Sequence, residues 1–168
     1  MTQIEHFLSE LDREADRSRR TLENMPEAKQ DWKPHERSMA FGYLAELVAT
    51  MPNWLAMAIE RDELDLRPPS GQGIPREPLN SRDDYLRAHN KAVAAARAAL
   101  QKTNVDFLNT HWKLLVGGQV VLDTPRHEML RDTFNHLAHH RGQMTVYLRL
   151  LGAKVPALYG PSADERSF

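Results

Sequence analysis

Cysteine is absent from the 168-residue chain, which excludes a disulfide framework, thiolate zinc fingers and a cysteine nucleophile. A reducing cytoplasm fits that absence, and a cytoplasmic protein is expected. Long apolar runs are missing as well. The opening "MTQIEHFLSELDREADRSRR" is charged from its fifth residue and has no apolar core of a leader. No window elsewhere approaches the roughly 20 apolar residues of a membrane span, so neither export nor membrane association is expected. Nor does charge of one sign prevail: 22 Lys and Arg stand against 23 Asp and Glu, for a net charge of -1, and the basic residues are scattered. That distribution lacks the electrostatic footprint of a nucleic-acid-binding surface. The nucleophile elbow GxSxG, a Gly-rich phosphate loop and HExxH are all missing, and Gly117-Gly118 lacks the lysine and helix start of a P-loop.

What is present is helical periodicity. A chain of this length buries roughly two-thirds of its unfolded surface as one domain, here residues 1–168, without a metal or disulfide to hold it. Ile4, Leu8, Leu11, Ala15, Ser18, Leu22 and Met25 recur at three- and four-residue steps and are followed by Pro26, which defines helix one. A second helix is expected from Ser38 or Met39 through "FGYLAELVATMPNWLAMAIERDE", kinked at Pro52. "LRPPSGQGIPREPLN", with four prolines and two glycines, is a long crossover. Ser81 and Asp84 give a capping-box signal before a third, alanine-rich helix striped by Leu86, His89, Val93, Ala96 and Leu100. Around Gly117-Gly118 the β-branched and aromatic residues suit a short hairpin, and any strand is expected there alone. Helix four runs from about Pro125 to Gly152, with proline at its start and glycine at its end. The expected fold class is therefore all-α: a four-helix bundle with a long crossover between helices two and three.

The informative stretch is "FNHLAHHRGQMTVYLRLLG", Phe134 to Gly152, where three of eight histidines fall within five residues. On a wheel of about 100° per residue, His140 lies about 40° from His136, and Gln143 and Tyr147 fall within about 20° of His136. Leu130, Phe134, Leu137, Met144, Leu148 and Leu151 flank this stripe on one side, so it runs along the edge of the buried arc. Imidazoles at i and i+4 can chelate one ion. The competing reading is structural, since a lone helical pair is more often hydrogen-bonded than metal-bound, and a firmly held ion needs a third protein ligand. His139, about 60° to the other side, is an alternate partner. His89 faces the interior and is read as a core or boundary histidine, while His6, His35, His111 and His127 are read as solvated. Trp32, Trp54, Trp112 and Met51, Met129 and Met144 are read as packing residues.

"DWKPHERSMAFGYLAELVATMPNW" and "PRHEMLRDTFNHLAHHRGQMTVYLRLLGAKVPALYGPSADE" together resemble the DinB-like family, also described as YfiT-like metal-dependent hydrolases. The resemblance covers nearly the whole chain in order. It implies a bacterial four-helix bundle, usually a homodimer, holding zinc or nickel on three histidines. Two of those positions match His136 and His140. Members with assigned activity move thiols, so a small-molecule or thiol substrate is implied. The third ligand comes from helix two, where "SMSLGELAAHVA" of the family laid over "SMAFGYLAELVA" places it on Leu47, which cannot ligate. Glu46 is the neighbouring oxygen donor, though about 100° away around the helix, and Thr50 lies nearer that face. A pocket would be formed by Tyr43, Leu47, Gln143 and Tyr147 beside the histidines. Two functions follow: a metal-assisted thiol transferase or hydrolase with a degenerate site, or a non-catalytic dimeric bundle that binds a small ligand in the same cavity.

Overall fold

The computed structural model of the chain describes residues 1–71, 73 and 77–166. Six helices carry most of it: α1 (Gln3–Glu23), α2 (Phe41–Thr50), α3 (Asn53–Glu60), α4 (Arg82–Lys102), α5 (Val105–Leu108) and α6 (Arg126–Leu150). Three short strands, β1 (Glu63–Asp65), β2 (His111–Val116) and β3 (Gln119–Pro125), form one sheet in the order β1-β2-β3. The expectation of a pure four-helix bundle is corrected accordingly: the long helices pack as expected, but a sheet is set against one end of them. No helix among the described residues is long and apolar enough to cross a membrane.

Local chemistry explains where most elements start and stop. Thr2 and Glu5 close a capping box over α1, and Ser81 and Asp84 do the same for α4. The long kinked helix expected through Pro52 is instead two helices. Pro52 has no amide hydrogen to continue the ladder, so α2 stops at Thr50 and α3 restarts at Asn53. The crossover after Leu66 is free of helix wherever it is described; residues 72 and 74–76 of it lie outside the described residues. Gly117 and Gly118 take φ of 61° and 78°, the left-handed pair of a two-residue turn between antiparallel β2 and β3.

β1 was not expected, since strands were foreseen only near the Gly-Gly turn. Its three residues pair in parallel with Lys113–Leu115 of β2, and the Asp65 carboxylate then accepts the amides of Gly117 (3.0 Å) and Gly118 (2.6 Å). That contact joins the start of the crossover to the turn, so the pairing is tertiary and leaves no periodic trace in "ELD".

Two apolar clusters form the core. One gathers Phe7, Leu55, Leu100, Trp112, Leu130 and Phe134 where the sheet meets the helices. The other gathers Leu22, Phe41, Leu44, Val48, Met144 and Leu148 at the opposite end, around α2 and the C-terminal half of α6. Arg126 opens α6 and is 2% exposed. Its guanidinium donates to the carbonyls of Ala58 and Arg61 (2.6 Å to the latter), closing the C-terminus of α3, and lies over the Phe107 ring. This residue therefore ties α3, α5 and α6 to one another.

Candidate functional site

The histidine stripe lies where the wheel places it, at the margin of the buried face of α6. His140 is 7% exposed, whereas His136 and His139 are exposed. The Nε2 atoms of His136 and His140 approach to 2.8 Å, with ring centroids 4.5 Å apart. Gln143 contributes from one turn further on: its Oε1 lies 3.0 Å from His140 Nδ1. With that oxygen accepting, His140 carries its proton on Nδ1 and turns the Nε2 lone pair toward His136, whose Nε2–H donates to it. Partial desolvation of the ring against its own helix, then the charges of His140 and His139, hold the His136 imidazole below its ordinary value, which favours the neutral ring.

Two nitrogens 2.8 Å apart can share one ion. At an ordinary zinc–nitrogen distance of about 2.0–2.1 Å that separation subtends roughly 85–90°, somewhat closed for a tetrahedral site but usable. Release of the histidine–histidine hydrogen bond is required, because both Nε2 lone pairs must face the metal. The Gln143 contact already fixes the tautomer His140 would need. A three-imidazole centre does not fit this chain. Leu47 packs into the second apolar cluster alongside residues of α6, and among the described residues no group of three His, Asp or Glu side chains is arranged to hold a metal. Glu46 lies instead on a groove with Tyr43 and Tyr85, while Thr50 directs its hydroxyl to the Glu46 carbonyl at 2.8 Å. The donor set is thus a bidentate pair.

The expected pocket residues are distributed over two places. Tyr43 lines the groove on the α4 side of α2. Tyr147, 8% exposed, packs edge-on against Trp32 at 5.5 Å and gives its hydroxyl to the Met39 carbonyl at 3.3 Å, so it holds the α1–α2 loop. Gln143 stays with the histidines. His139 stacks edge-on against His140 with centroids 5.1 Å apart. His89 is 1% exposed and set between three helices: Nε2 is 3.0 Å from Ala15 O of α1 and Nδ1 is 3.4 Å from Ala49 O of α2. It is a core residue. His6, His35 and His111 are exposed, and His127 is half-buried with Nδ1 3.2 Å from Leu108 O.

The residue next to the pair escaped the sequence reading. Arg141 is fully buried and donates to the Ser18 hydroxyl at 3.0 Å, the Glu14 carbonyl at 3.1 Å and the Glu14 carboxylate. Arg17 and Tyr159 complete the set around Glu14. A signal was available: Phe7, Leu11, Glu14, Ser18 and Thr21 keep the spacing of one helix face, and all are buried. Their polar members disguised it.

Long helices packed around a two-part core, with a small sheet at one end and a histidine pair along the edge of the last helix, define a mostly helical bundle protein. Residues 1–167 match the model of the DinB family. The chain belongs to the DinB family. It is 26% identical over 166 residues to the uncharacterised protein YrdA of Bacillus subtilis (strain 168), covering 96% of this chain and 91% of the relative. Its fold is similar to a DinB-like protein from Bacillus cereus ATCC 10987 (TM-score 0.72, 24% identity, 95% of this chain and 100% of the other). It is also similar to the DinB-like YjoA of Bacillus subtilis (TM-score 0.69, 16% identity, 96% and 99%).

Proposed function

We propose that the His136–His140 pair is a reduced form of a DinB-type metal site, taking zinc or nickel weakly and completed by a ligand from the substrate. The reading is supported by one observation above the rest: two Nε2 atoms converge at 2.8 Å while the neighbouring acceptor on Gln143 fixes the tautomer of one ring. The reaction class would be metal-assisted thiol transfer or hydrolysis, in which a bound ion polarises a substrate or lowers the pKa of its thiol or of water. In this chain His136 and His140 hold, Gln143 orients, and the half-buried Leu47 keeps an apolar side chain where a third imidazole would stand. A substrate thiolate is the natural third donor, because a two-imidazole chelate is too weak by itself to displace solvent firmly.

A second reading follows from Leu47 itself. An apolar residue at the third position suits a non-catalytic bundle that binds a small molecule and has abandoned the metal. Zinc titration by calorimetry, with and without a small thiol, separates the two. The metal reading expects weak zinc binding that tightens several-fold with thiol and disappears in His136→Ala and His140→Ala. Binding that ignores both substitutions, or no binding even with thiol, leaves the non-catalytic reading. A homodimer is part of the proposal, supported by Val146 and Leu150 on the outer face of α6, 57% and 59% exposed. Sedimentation at 19.3 kDa would contradict that part.

A further inference from the structure

The break at Pro52 leaves one carbonyl inside the protein without a backbone partner. In an unbroken helix the Ala49 carbonyl would accept the amide of residue 53. Here α2 ends at Thr50, and the first amides after the break turn elsewhere: Trp54 donates to the Met51 carbonyl at 3.0 Å and Leu55 to the Pro52 carbonyl at 3.1 Å. Among the described residues no backbone amide reaches the Ala49 oxygen, and Ala49 is fully buried. A buried acceptor left so is uncommon, because its desolvation goes uncompensated.

The side chain that faces it is His89 of α4. Its Nδ1 stands 3.4 Å from the Ala49 oxygen, longer than a formed N–H···O bond, while its Nε2 is 3.0 Å from the Ala15 oxygen of α1. Both ring nitrogens therefore face acceptors. A neutral imidazole has a single N–H, and the shorter contact takes it: Nε2–H donates to Ala15, whose carbonyl also lies within the ladder of α1. The bare Nδ1 is then left lone pair to lone pair with Ala49. An imidazolium would donate to both carbonyls, and its charge would stand at the C-terminal end of α2, where the helix dipole favours a cation.

We propose that His89 is a proton-operated clamp, in which a second proton on Nδ1 closes the bond to the Ala49 carbonyl and fastens the broken end of α2 to α4 and α1. Its surroundings keep it open near neutrality. Burial, the largest influence, pulls the ring below its ordinary value; the Ala15 and Ala49 carbonyls push it up, and the charges of Arg19 from α1 and Arg141 from α6 push it down. Glu14 of α1 is the partner of Arg141. The ionisable side chains of α2, Tyr43 and Glu46, line the groove, and Tyr85, one turn before His89 in α4, has a phenol raised by burial and so neutral. In α3 the ionisable side chain is the exposed Glu60 at its far end. The clamp therefore closes on the acid side of the ordinary histidine range. Because α2 packs on α6, its closure fixes the helix that runs beside the histidine pair, and it does so whether or not that pair takes a metal.

NMR of the full chain with nitrogen-labelled histidine rings, followed through an acid titration, reads the two nitrogens of His89 separately. A proton on Nε2 alone is expected at neutral pH, followed by uptake at Nδ1 below 6.5 while the chain stays folded. Over the same range the amide exchange of Met51, Asn53 and Trp54, corrected for intrinsic rates, should slow relative to the middle of α4. Pro52→Ala supplies the missing amide and lets Asn53 take the Ala49 carbonyl, so Nδ1 should gain its proton about one pH unit lower and the change in exchange should vanish. His89→Gln, which has no ring to titrate, should show no such change at the break, and it decides the matter if Pro52→Ala does not fold. The proposal is overturned by a proton already on Nδ1 at neutral pH, by unfolding before the second proton is taken up, by exchange at the break that ignores the ring or persists in His89→Gln, or by folded Pro52→Ala titrating like wild type.

Discussion

Tyr159, in the tail beyond α6, donates its hydroxyl to Oε2 of Glu14 in α1 at 2.8 Å, across 145 residues of sequence. The carboxylate it meets is also held by Arg141 and Arg17, and the Arg17 guanidinium lies over the Tyr159 ring at 4.1 Å. Further clamps fasten the same tail: Arg20 to Glu165 at 2.6 Å and Arg149 to Asp164 at 2.5 Å. The run "YGPSADE" thus has a physical role, which is to cover the buried ion network between α1 and α6.

Arg141→Met should accordingly destabilise the protein by about 3–5 kcal/mol, because it strands the Glu14 carboxylate without its buried partner. Tyr159→Phe loses the hydrogen bond its hydroxyl gives to Glu14 and the one it takes from Arg141, and should cost about 1–3 kcal/mol. Urea unfolding monitored by circular dichroism measures both. Near-equal midpoints for wild type and Arg141→Met would show that the network contributes nothing.

Acid should act on this network and on His89 in separate ranges. Burial raises Glu14, but Arg141 and the hydrogen bonds from Arg141, Tyr159 and Arg17 outweigh it, so its carboxyl lies below the usual 4.5. Its stabilisation is complete above 4.5 and is lost as pH falls through the lowered folded value. Burial pulls the His89 imidazole below 6.5 despite the Ala15 and Ala49 carbonyls. The unfolded state then takes the proton more readily, so stability is full above 6.5 and falls as pH drops from there toward the folded value. His136, also lowered, adds to the same slope. Melting temperatures between pH 8 and pH 5, on the order of the span that covers a histidine titration, should show the fall in wild type and a shallower one in His89→Gln. Parallel curves would contradict the assignment.

Arg126→Met tests the junction of sheet and helices. The Asp62 carboxylate it meets at 2.7 Å is 94% exposed and contributes little, whereas the Ala58 and Arg61 carbonyls lose their donor. A loss of about 1–3 kcal/mol is expected, with hydrogen exchange accelerated first at the end of α3. Uniform exchange across all helices would argue against a local cap.

Much of this fold is legible in the sequence because its signals are local. Ser81 with Asp84, Gly117 with Gly118, and Pro125 with Gly152 each act within a few residues, and each marks the boundary expected of it. Pro52 was visible as a disturbance but not as a full break, since the difference between a kink and two helices depends on how α3 packs against α4. β1 and the Glu14–Arg141 contact are long-range, and the chain announces neither: Asp65 and Glu14 are acidic residues among many. For the candidate site, the pairing of His136 and His140 follows from helical spacing, while Gln143 orienting one ring does not. The resemblance puts a family ligand position on Leu47, and the place of Glu46 on the groove follows from the roughly 100° of helix rotation that separates it from that position.

The most direct measurement is a set of thermal melts with and without zinc on wild type, Leu47→His, and each combined with His136→Ala. Removing the half-buried leucine should destabilise the metal-free variant by up to about 2–4 kcal/mol, and zinc should restore much of that through binding to the folded state alone. A small zinc-dependent shift is predicted for wild type, a much larger one for Leu47→His, and the loss of both with His136→Ala. A wild-type shift as large as that of Leu47→His, or no response in either protein, would contradict a two-histidine site that lacks only its third ligand.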